Sequence, residues 1–175
     1  MHWKRKIFIA LGVLILLFLL DAFVQRSLFK KYHLTYQASD SMPEGLYFIR
    51  PVKKIARNEI VVFTPPPTIQ DFLDRRHWLT NQSWLMKRVV GMPGDFVCLK
   101  NHELWINQSP IGPVLLEDKN HLPMPQLSFC RTLIPDEYFL MSTYIVRSFD
   151  SRYFGPVTSS LIQGEAVPLW LHSST

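Results

Sequence analysis

Residues 87–95 have the sequence KRVVGMPGD, which places a lysine inside an apolar strand and ends that strand in a proline–glycine turn. The run over residues 84–90 predicts a half-buried β-strand. Since side chains alternate between the two faces of a strand, Lys87 shares its face with Val89, whereas Arg88 points the other way. We therefore expect Lys87 to be the residue that loses contact with water.

A buried lysine of this kind can serve as a base. Burial disfavours the charged ammonium group and therefore lowers the pKa of a lysine. A pKa near 8 lies about two units below the usual value of about 10.4, a free-energy difference of about 3 kcal/mol that apolar surroundings can supply. Taken alone, however, Lys87 favours the simpler interpretation that its amine extends along the strand into water.

A serine upstream offers the proton that such a base would take. Residues 39–45 have the sequence SDSMPEG, in which Pro43 and Gly45 predict a loop rather than a helix. A hydroxyl becomes a nucleophile when a neighbouring base removes its proton. We therefore pair Ser41 with Lys87 as a hypothesis.

A third polar segment, residues 147–157, has the sequence RSFDSRYFGPV. If this segment is extended, the side chains of Ser148, Asp150 and Arg152 lie on one face. They can then form a hydrogen-bonded chain in which Arg152 holds Asp150, while Ser148 or Asp150 orients the lysine amine. The alternative is a purely structural Asp–Arg ion pair, and we prefer that role for Arg152.

The net charge of the chain is concentrated at its amino terminus. The full charge of +5 is accounted for by residues 1–31, which hold six basic residues and one acidic residue. Residues 32–175 hold 13 basic and 13 acidic residues, so their net charge is zero. This distribution argues against a nucleic-acid-binding surface on the folded part of the chain.

The same amino-terminal region predicts a membrane anchor. Residues 7–20 are uninterrupted apolar residues, and extension of this run to position 24 includes one acidic residue, Asp21. As a helix, these 18 residues measure about 27 Å, close to the hydrocarbon core of about 30 Å. We predict a single transmembrane helix over residues 7–24, after a cytoplasmic tail of residues 1–6 and before a membrane-proximal linker of residues 25–38.

A cleaved signal peptide is the alternative to an anchor. Cleavage requires small residues one and three positions before the cut, and here Ala22 has Leu20 at the partner position. We therefore expect the anchor to be retained. Basic residues lie on both sides of the apolar run, so their distribution gives little information on orientation.

The remainder of the chain, residues 39–175, predicts one mainly β domain. Short apolar or alternating segments are separated by turns rich in Pro and Gly, which is the pattern of an all-β domain. Residues 68–83 predict a partly helical excursion, and residues 111–129 predict a loop. The predicted strands cover residues 45–50, 59–63, 84–90, 96–100, 103–106, 138–142 and 166–171.

The histidines and cysteines do not indicate a metal or cofactor site. The six histidines are scattered without a pair at ligand spacing, and the two cysteines lack the spacing of a metal site. If the domain lies outside the cytoplasm, Cys98 and Cys130 can form a disulfide that adds about 3 to 4 kcal/mol of stability. Two unpaired buried thiols are the alternative.

Three segments, in this order after a single anchor, resemble those of the membrane-bound signal peptidases of the serine–lysine type. The segments are residues 39–47, 87–95 and 148–157. Within that superfamily they look most like the TraF-type conjugative-transfer peptidases. General signal peptidases have Ser-Met-x-Pro at the nucleophile, whereas here Pro43 follows Met42 directly. They also have Gly-Asp-Asn-Arg before the third segment, where this chain has STYI at residues 142–145.

The resemblance implies a role for each polar residue. By that resemblance, Ser41 is the nucleophile, Lys87 is the general base and Asp150 is a third, acidic member of the site. Ser39 matches a hydroxyl that lines the oxyanion hole together with the backbone N–H of Ser41. Ser148 matches a hydroxyl that positions the lysine.

The resemblance also implies a fold, a location and a substrate. The implied fold is a complex all-β peptidase domain, residues 39–175, on the periplasmic side of the bacterial inner membrane. The expected reaction removes a signal or propeptide segment from an exported, membrane-bound precursor, most simply a conjugative pilin, without a cofactor. Either water completes the reaction, or the amino terminus of the substrate does so and gives a cyclic product.

The expected partners are the lipid bilayer, the precursor and components of a conjugation or type IV secretion apparatus, with no nucleic acid among them. The same resemblance leaves two alternatives. One is a general signal peptidase of the secretory pathway, which has the same chemistry and broader substrates. The other is a catalytically inactive assembly factor of a secretion or pilus apparatus.

Overall fold

The structure is a computed structural model and describes residues 3, 7, 11–22, 32–79 and 84–172. The chain forms two compact units, Met1–His33 and Leu34–Thr175. In the first unit, residues 11–22 are helical. None of the described residues belongs to a helix that is both long and apolar enough to cross a bilayer. The predicted anchor at residues 7–24 lies partly outside the described residues, as do most of the predicted tail and the first part of the predicted linker.

The second unit is built mainly from β-strands, which confirms the predicted fold class. Within the described residues, the strands in chain order are β1 (His33–Gln37), β2 (Gly45–Arg50), β3 (Ile60–Phe63), β4 (Leu85–Gly91), β5 (Phe96–Lys100), β6 (Glu103–Ile106), β7 (Ser109–Pro113), β8 (Phe129–Thr132), β9 (Glu137–Met141), β10 (Val157–Thr158) and β11 (Ile162–Leu171).

The larger sheet carries the segments that the sequence singled out. It has seven strands in the order β1-β2-β11-β3-β4-β9-β10, and the pairings from β2 to β10 are antiparallel. The strand with Lys87, β4, lies between β3 and β9. The long strand β11 pairs with β2 on one side and with β3 on the other. The strand β11 therefore joins β2, which follows Ser41, to β3. In turn, β3 pairs with β4, which carries Lys87.

The smaller sheet has four antiparallel strands in the order β7-β6-β5-β8. Asn101 and His102 turn the chain between β5 and β6, with φ values of 53° and 62°. Two successive positive φ values are typical of the tight turn that joins hairpin strands, and the predicted strands at residues 96–100 and 103–106 form such a hairpin. Cys98 of β5 lies opposite Cys130 of β8, and the two cysteines form a disulfide.

The central strand β4 has an apolar cluster on each face, but from Lys87 onward buried odd positions alternate with partly buried even positions, so the predicted half-buried strand is confirmed there. Met86 packs on one face in an apolar cluster with Met42 and Tyr47. Val89 packs on the other face in a cluster with Val61. Because β4 lies in the interior of the sheet and apolar layers cover both of its faces, apolar side chains occur at odd and even positions alike.

Two further segments can be compared with expectation. The predicted partly helical excursion, residues 68–83, is confirmed, since a 3₁₀ turn at Pro67–Ile69 begins one residue before it and a helix at Gln70–Arg76 lies within it. Residues 80–83 lie outside the described residues. The predicted loop at residues 111–129 is wrong at its two ends, which belong to β7 and β8. The strand β7 lies at a sheet edge, where a proline is tolerated because no N–H is needed on the outer side.

Candidate active site

The loop before β2 holds Ser41 in a turn. Met42, the next residue, is buried in an apolar cluster with Met86. The hydroxyl of Tyr47 donates a hydrogen bond of 2.8 Å to the carbonyl oxygen of Pro43. Burial raises the pKa of Tyr47 to about 12, so the phenol remains a hydrogen-bond donor at neutral pH. These two contacts fix the backbone on the carboxyl-terminal side of Ser41.

Lys87 reaches this loop from β4. Its Nζ lies 3.0 Å from Oγ of Ser41, although the two residues are 46 positions apart in the sequence. Lys87 lies opposite Val61 in the register of β3 and β4, and Val61 belongs to an apolar cluster with Phe63 and Val89. Only 3% of the surface of Lys87 is exposed. The expected loss of contact with water is therefore present.

The pKa of Lys87 is lowered from an ordinary value of 10.5 to about 8, chiefly because the amine is buried. The negative charge of Asp150 opposes this shift, and the positive charge of Arg152 adds to it. Among the residues that the structure describes, Lys87 forms no ion pair, and its hydrogen-bond partner is the neutral hydroxyl of Ser41. A neutral amine is thus accessible at mildly basic pH.

Ser39 contributes a second hydroxyl to the same place. Its Oγ lies 3.1 Å from Oγ of Ser41. The Ser41 hydroxyl therefore contacts both the amine of Lys87 and the hydroxyl of Ser39. A donor next to a nucleophile can stabilise the negative oxygen that forms when the nucleophile attacks a carbonyl group.

The segment with Asp150 is not extended, so the predicted alignment of side chains on one strand face is wrong. Asp150 itself has an extended backbone with φ −157°, but the helix Ser151–Phe154 begins at the next residue. The Asp150 carboxylate accepts a hydrogen bond of 3.3 Å from the backbone N–H of Arg152 and so caps this helix. An aspartate two residues before a free N–H favours a cap over a continued strand.

Asp150 and Arg152 nevertheless form the predicted ion pair. Nε of Arg152 lies 2.8 Å from Oδ1 of Asp150, and Nη2 lies 2.9 Å from Oδ2. The guanidinium also donates to the carbonyl oxygens of Pro113, at 2.9 Å, and Ser148, at 3.1 Å. Arg152 is 1% exposed. Burial alone lowers the pKa of Arg152, but the bonds to Asp150 outweigh burial and raise it.

Neither Asp150 nor Ser148 forms a hydrogen bond with Lys87 among the described residues, although the charge of Asp150 acts on Lys87 and Ser148 lines the same cavity. Asp150 also accepts a hydrogen bond of 3.1 Å from the backbone N–H of Ser142. Its two oxygens are therefore occupied by Arg152 and the backbone, and it acts on Lys87 through its charge. In the described part of the chain, the Ser148 hydroxyl is buried and has no hydrogen-bond partner.

Ser41, Lys87 and Ser148 line one cavity of about 710 Å³. Much of the remaining wall is apolar and comes from the helix Gln70–Arg76, the loop after β7 and the segment before the helix at residue 151. The sequence pattern assigned these side chains no role in the site, because they have no regular spacing and become neighbours only in the folded chain. They include Leu73, Trp78, Met124, Phe149 and Tyr153.

Comparisons with known proteins find relatives in the superfamily that the three sequence segments resemble. The profile of the family described as signal peptidase, peptidase S26, matches residues 2–171. The plasmid transfer protein TraF of Escherichia coli is 33% identical over 135 residues, which cover 70% of this chain and 74% of TraF. Signal peptidase I V of Bacillus subtilis (strain 168) is 25% identical over 122 residues, which cover 64% of each protein.

A crystal structure of a signal peptidase I from Enterococcus faecalis V583 aligns with 65% of this chain and 97% of that chain, at 26% identity and a TM-score of 0.39. The family match extends over nearly the whole sequence, and the identity to TraF exceeds 30% over most of both chains. The resemblance given by the three sequence segments is therefore confirmed, and the chain belongs to the signal peptidase family, peptidase S26.

Proposed function

We propose that the protein is a membrane-anchored serine endopeptidase in which Ser41 is the nucleophile and Lys87 is the general base. The observation that carries this proposal is the distance of 3.0 Å between a buried amine and a hydroxyl. The pKa of about 8 supports it, because a base must be neutral to accept a proton. Family membership supports the reaction class.

The reaction begins with proton transfer inside this pair. Neutral Lys87 removes the proton of Ser41 while Oγ forms a bond to the scissile carbonyl carbon. The negative oxygen of the tetrahedral intermediate accepts hydrogen bonds from the hydroxyl of Ser39 and from the backbone N–H of Ser41. The Lys87 ammonium then gives its proton to the leaving amine, the C–N bond breaks, and an acyl-enzyme remains.

The second half of the reaction releases the acyl group. A water molecule loses a proton to Lys87 and attacks the ester carbonyl carbon. The bond from that carbon to Oγ then breaks, and the Lys87 ammonium returns its proton to Oγ, which releases the new carboxyl end and restores both Ser41 and the neutral amine. If the removed segment is carboxyl-terminal, the acyl group is the pilin itself, and attack by its own amino terminus in place of water gives a cyclic peptide. Asp150, held by Arg152, stabilises the ammonium through its charge, and the unpartnered hydroxyl of Ser148 can accept a hydrogen bond from the protonated amine.

The substrate that we propose is a conjugative pilin precursor, from which the enzyme removes a signal or propeptide segment. The similarity to the plasmid transfer protein TraF and the short spacing in Ser41-Met42-Pro43 support this choice. The similarity to signal peptidase I V supports a second candidate, a general signal peptidase with broader secretory substrates. Rescue of preprotein export in cells depleted of their own signal peptidase would favour that candidate.

We also propose that residues 7–24 anchor the enzyme in the bacterial inner membrane, with residues 39–175 in the periplasm. The length and composition of the apolar run support the anchor. Exposed apolar side chains support a bilayer close to the domain. They lie on β1 and at the end of β11, the two neighbours of β2, and include Leu34, Tyr36, Leu169 and Trp170.

The test is mass spectrometry of a pilin precursor that is co-produced with the full-length protein. We expect a shortened or cyclic pilin with the parent protein, and the unprocessed precursor with Ser41→Ala or Lys87→Ala. The matched controls Ser160→Ala and Lys100→Ala alter residues outside the cavity and are expected to process normally. Normal maturation by Ser41→Ala or Lys87→Ala would refute the catalytic assignment and leave an assembly factor as the alternative.

A further inference from the structure

Gln37, the last residue of β1, contacts the loop that carries the nucleophile. It is 9% exposed. Its Nε2 lies 2.5 Å from Oγ of Ser39 and 3.0 Å from the carbonyl oxygen of Ser39. Because a carbonyl oxygen can only accept a hydrogen bond, the amide group that faces Ser39 must be the NH₂ and not the oxygen. Ser39 thus receives hydrogen bonds from Gln37 at both its backbone and its side chain.

We propose that Gln37 is a positioning residue whose amide directs the hydroxyl hydrogens of Ser39 and Ser41 toward Lys87. This inference rests on the proposed function of the Ser41–Lys87 pair. A hydroxyl has one hydrogen to donate and can also accept. Oγ of Ser39 accepts from Gln37 with one of its two lone pairs, and this bond favours the orientation in which its own hydrogen faces Oγ of Ser41, 3.1 Å away. The hydrogen of Ser41 remains for the amine of Lys87, 3.0 Å away.

The direction of this chain matters for both steps of catalysis. With Gln37 as the first donor, the nucleophile presents its proton to the neutral base. Once Ser41 has attacked, the Ser39 hydroxyl can donate its hydrogen bond to the negative oxygen of the intermediate instead of to Oγ of Ser41. Without the amide, Ser39 can accept from Ser41 instead, and the Ser41 proton then points away from Lys87. Hydrogen-bonded chains of this kind are cooperative, because each donor polarises the next.

A structural role of β1 must be separated from this chemical role. Tyr36, the residue before Gln37, donates a hydrogen bond of 2.6 Å to Oε1 of Glu44. Two successive residues of β1 therefore hold the two ends of the loop that contains Ser41. A substitution at Gln37 could lower activity by loosening this loop alone. An experiment must therefore ask whether the effect of Gln37 depends on the hydroxyl of Ser39.

A double-mutant cycle answers this question. The variants are Gln37→Met, Ser39→Ala and the double substitution, all in the full-length protein in detergent. The substrate is a synthetic peptide that spans the cut found by mass spectrometry of the co-produced precursor. We expect Gln37→Met to lower kcat about tenfold with little change in KM, because the amide acts on proton transfer rather than on binding. In the Ser39→Ala background, the same change should alter kcat less than about twofold.

Two results would overturn the inference while the proposed function stands. One is an equal loss on Gln37→Met in both backgrounds, which indicates a purely structural contact. The other is no loss in either background. The control Gln163→Met removes an exposed amide bonded to Thr64 and should retain the parent kcat. Ser41→Ala is measured alongside, and full activity of that variant would remove the proposed function and this inference together.

Discussion

Two regions of the protein each bury a cationic side chain. The net shift in pKa is downward for one of these side chains and upward for the other. Lys87 on β4 is 3% exposed, and burial lowers its pKa to about 8. Arg152, in the helix Ser151–Phe154, is 1% exposed, yet its pKa is raised. The difference lies in the partners, because Arg152 makes two bonds to the Asp150 carboxylate, whereas Lys87 contacts the neutral hydroxyl of Ser41.

The comparison shows how equal burial can produce a structural cation and a base. A guanidinium that is paired with a carboxylate at two points keeps its charge and joins the elements around it. An amine in apolar surroundings without a carboxylate partner is destabilised in its charged form. Asp150 connects the two regions, since its charge raises the pKa of Lys87 while its oxygens bond Arg152.

The largest expected effect is the loss of activity when the base is removed. Lys87→Met should lower kcat/KM at least about 10³-fold, because no other amine contacts the Ser41 hydroxyl among the described residues. Arg152→Lys keeps a positive charge and should lower kcat/KM much less. The measurement is cleavage of the mapped peptide by the full-length variants. Similar losses for both variants would contradict the division into a base and a structural cation.

The next largest effect concerns the buried ion pair. Asp150→Asn leaves the Arg152 guanidinium without its carboxylate and should lower the free energy of unfolding by about 3–5 kcal/mol. Replacement of both residues, Asp150→Asn with Arg152→Met, should lower the free energy of unfolding less than Asp150→Asn alone, because no unpaired charge remains. Denaturant unfolding in detergent measures these values. A double variant that is less stable than Asp150→Asn would count against the pair as the cause.

Much of this arrangement was accessible from the sequence. The position of Lys87 in an apolar run, the loop signals around Ser41 and the strands at residues 96–100 and 103–106 depend on local pattern, and local pattern is what a sequence displays. The helix that Asp150 caps was missed because a short cap competes with an extended segment of the same composition. The contact between Gln37 and Ser39 was missed because residues 25–38 were assigned to a linker, whereas His33–Gln37 form β1 and bring Gln37 to the loop.

A smaller effect is a gain in stability when Lys87 is replaced. The folded-state pKa of about 8 lies below the ordinary value of 10.5, so the unfolded chain binds more protons between these values and the stability of the parent rises with pH there. Below about pH 8 the burial of the charge costs about 3 kcal/mol. Lys87→Met should therefore be more stable by about this amount at pH 7, and the gain should vanish above about pH 10.5. An unchanged gain at every pH would contradict this explanation.

The smallest effects are shifts in the pH dependence of activity. Because Asp150 raises the pKa of Lys87, Asp150→Asn should move the rising limb of kcat/KM to lower pH. Because Arg152 lowers that pKa, Arg152→Met should move the limb to higher pH. Each shift should be less than about one pH unit, since neither charge is in direct contact with the amine. Shifts in the same direction would show that the effect is not electrostatic.

The most direct test of the central claim is an NMR titration of the Lys87 amine in the full-length protein labelled with ¹³C at lysine Cε. The Lys87 signal is assigned by its absence in Lys87→Met, and the exposed Lys100 serves as an internal reference. We predict a midpoint near pH 8 for Lys87. A midpoint near 10.5 would mean that the amine stays charged at the pH of catalysis, and Lys87 could not be the base.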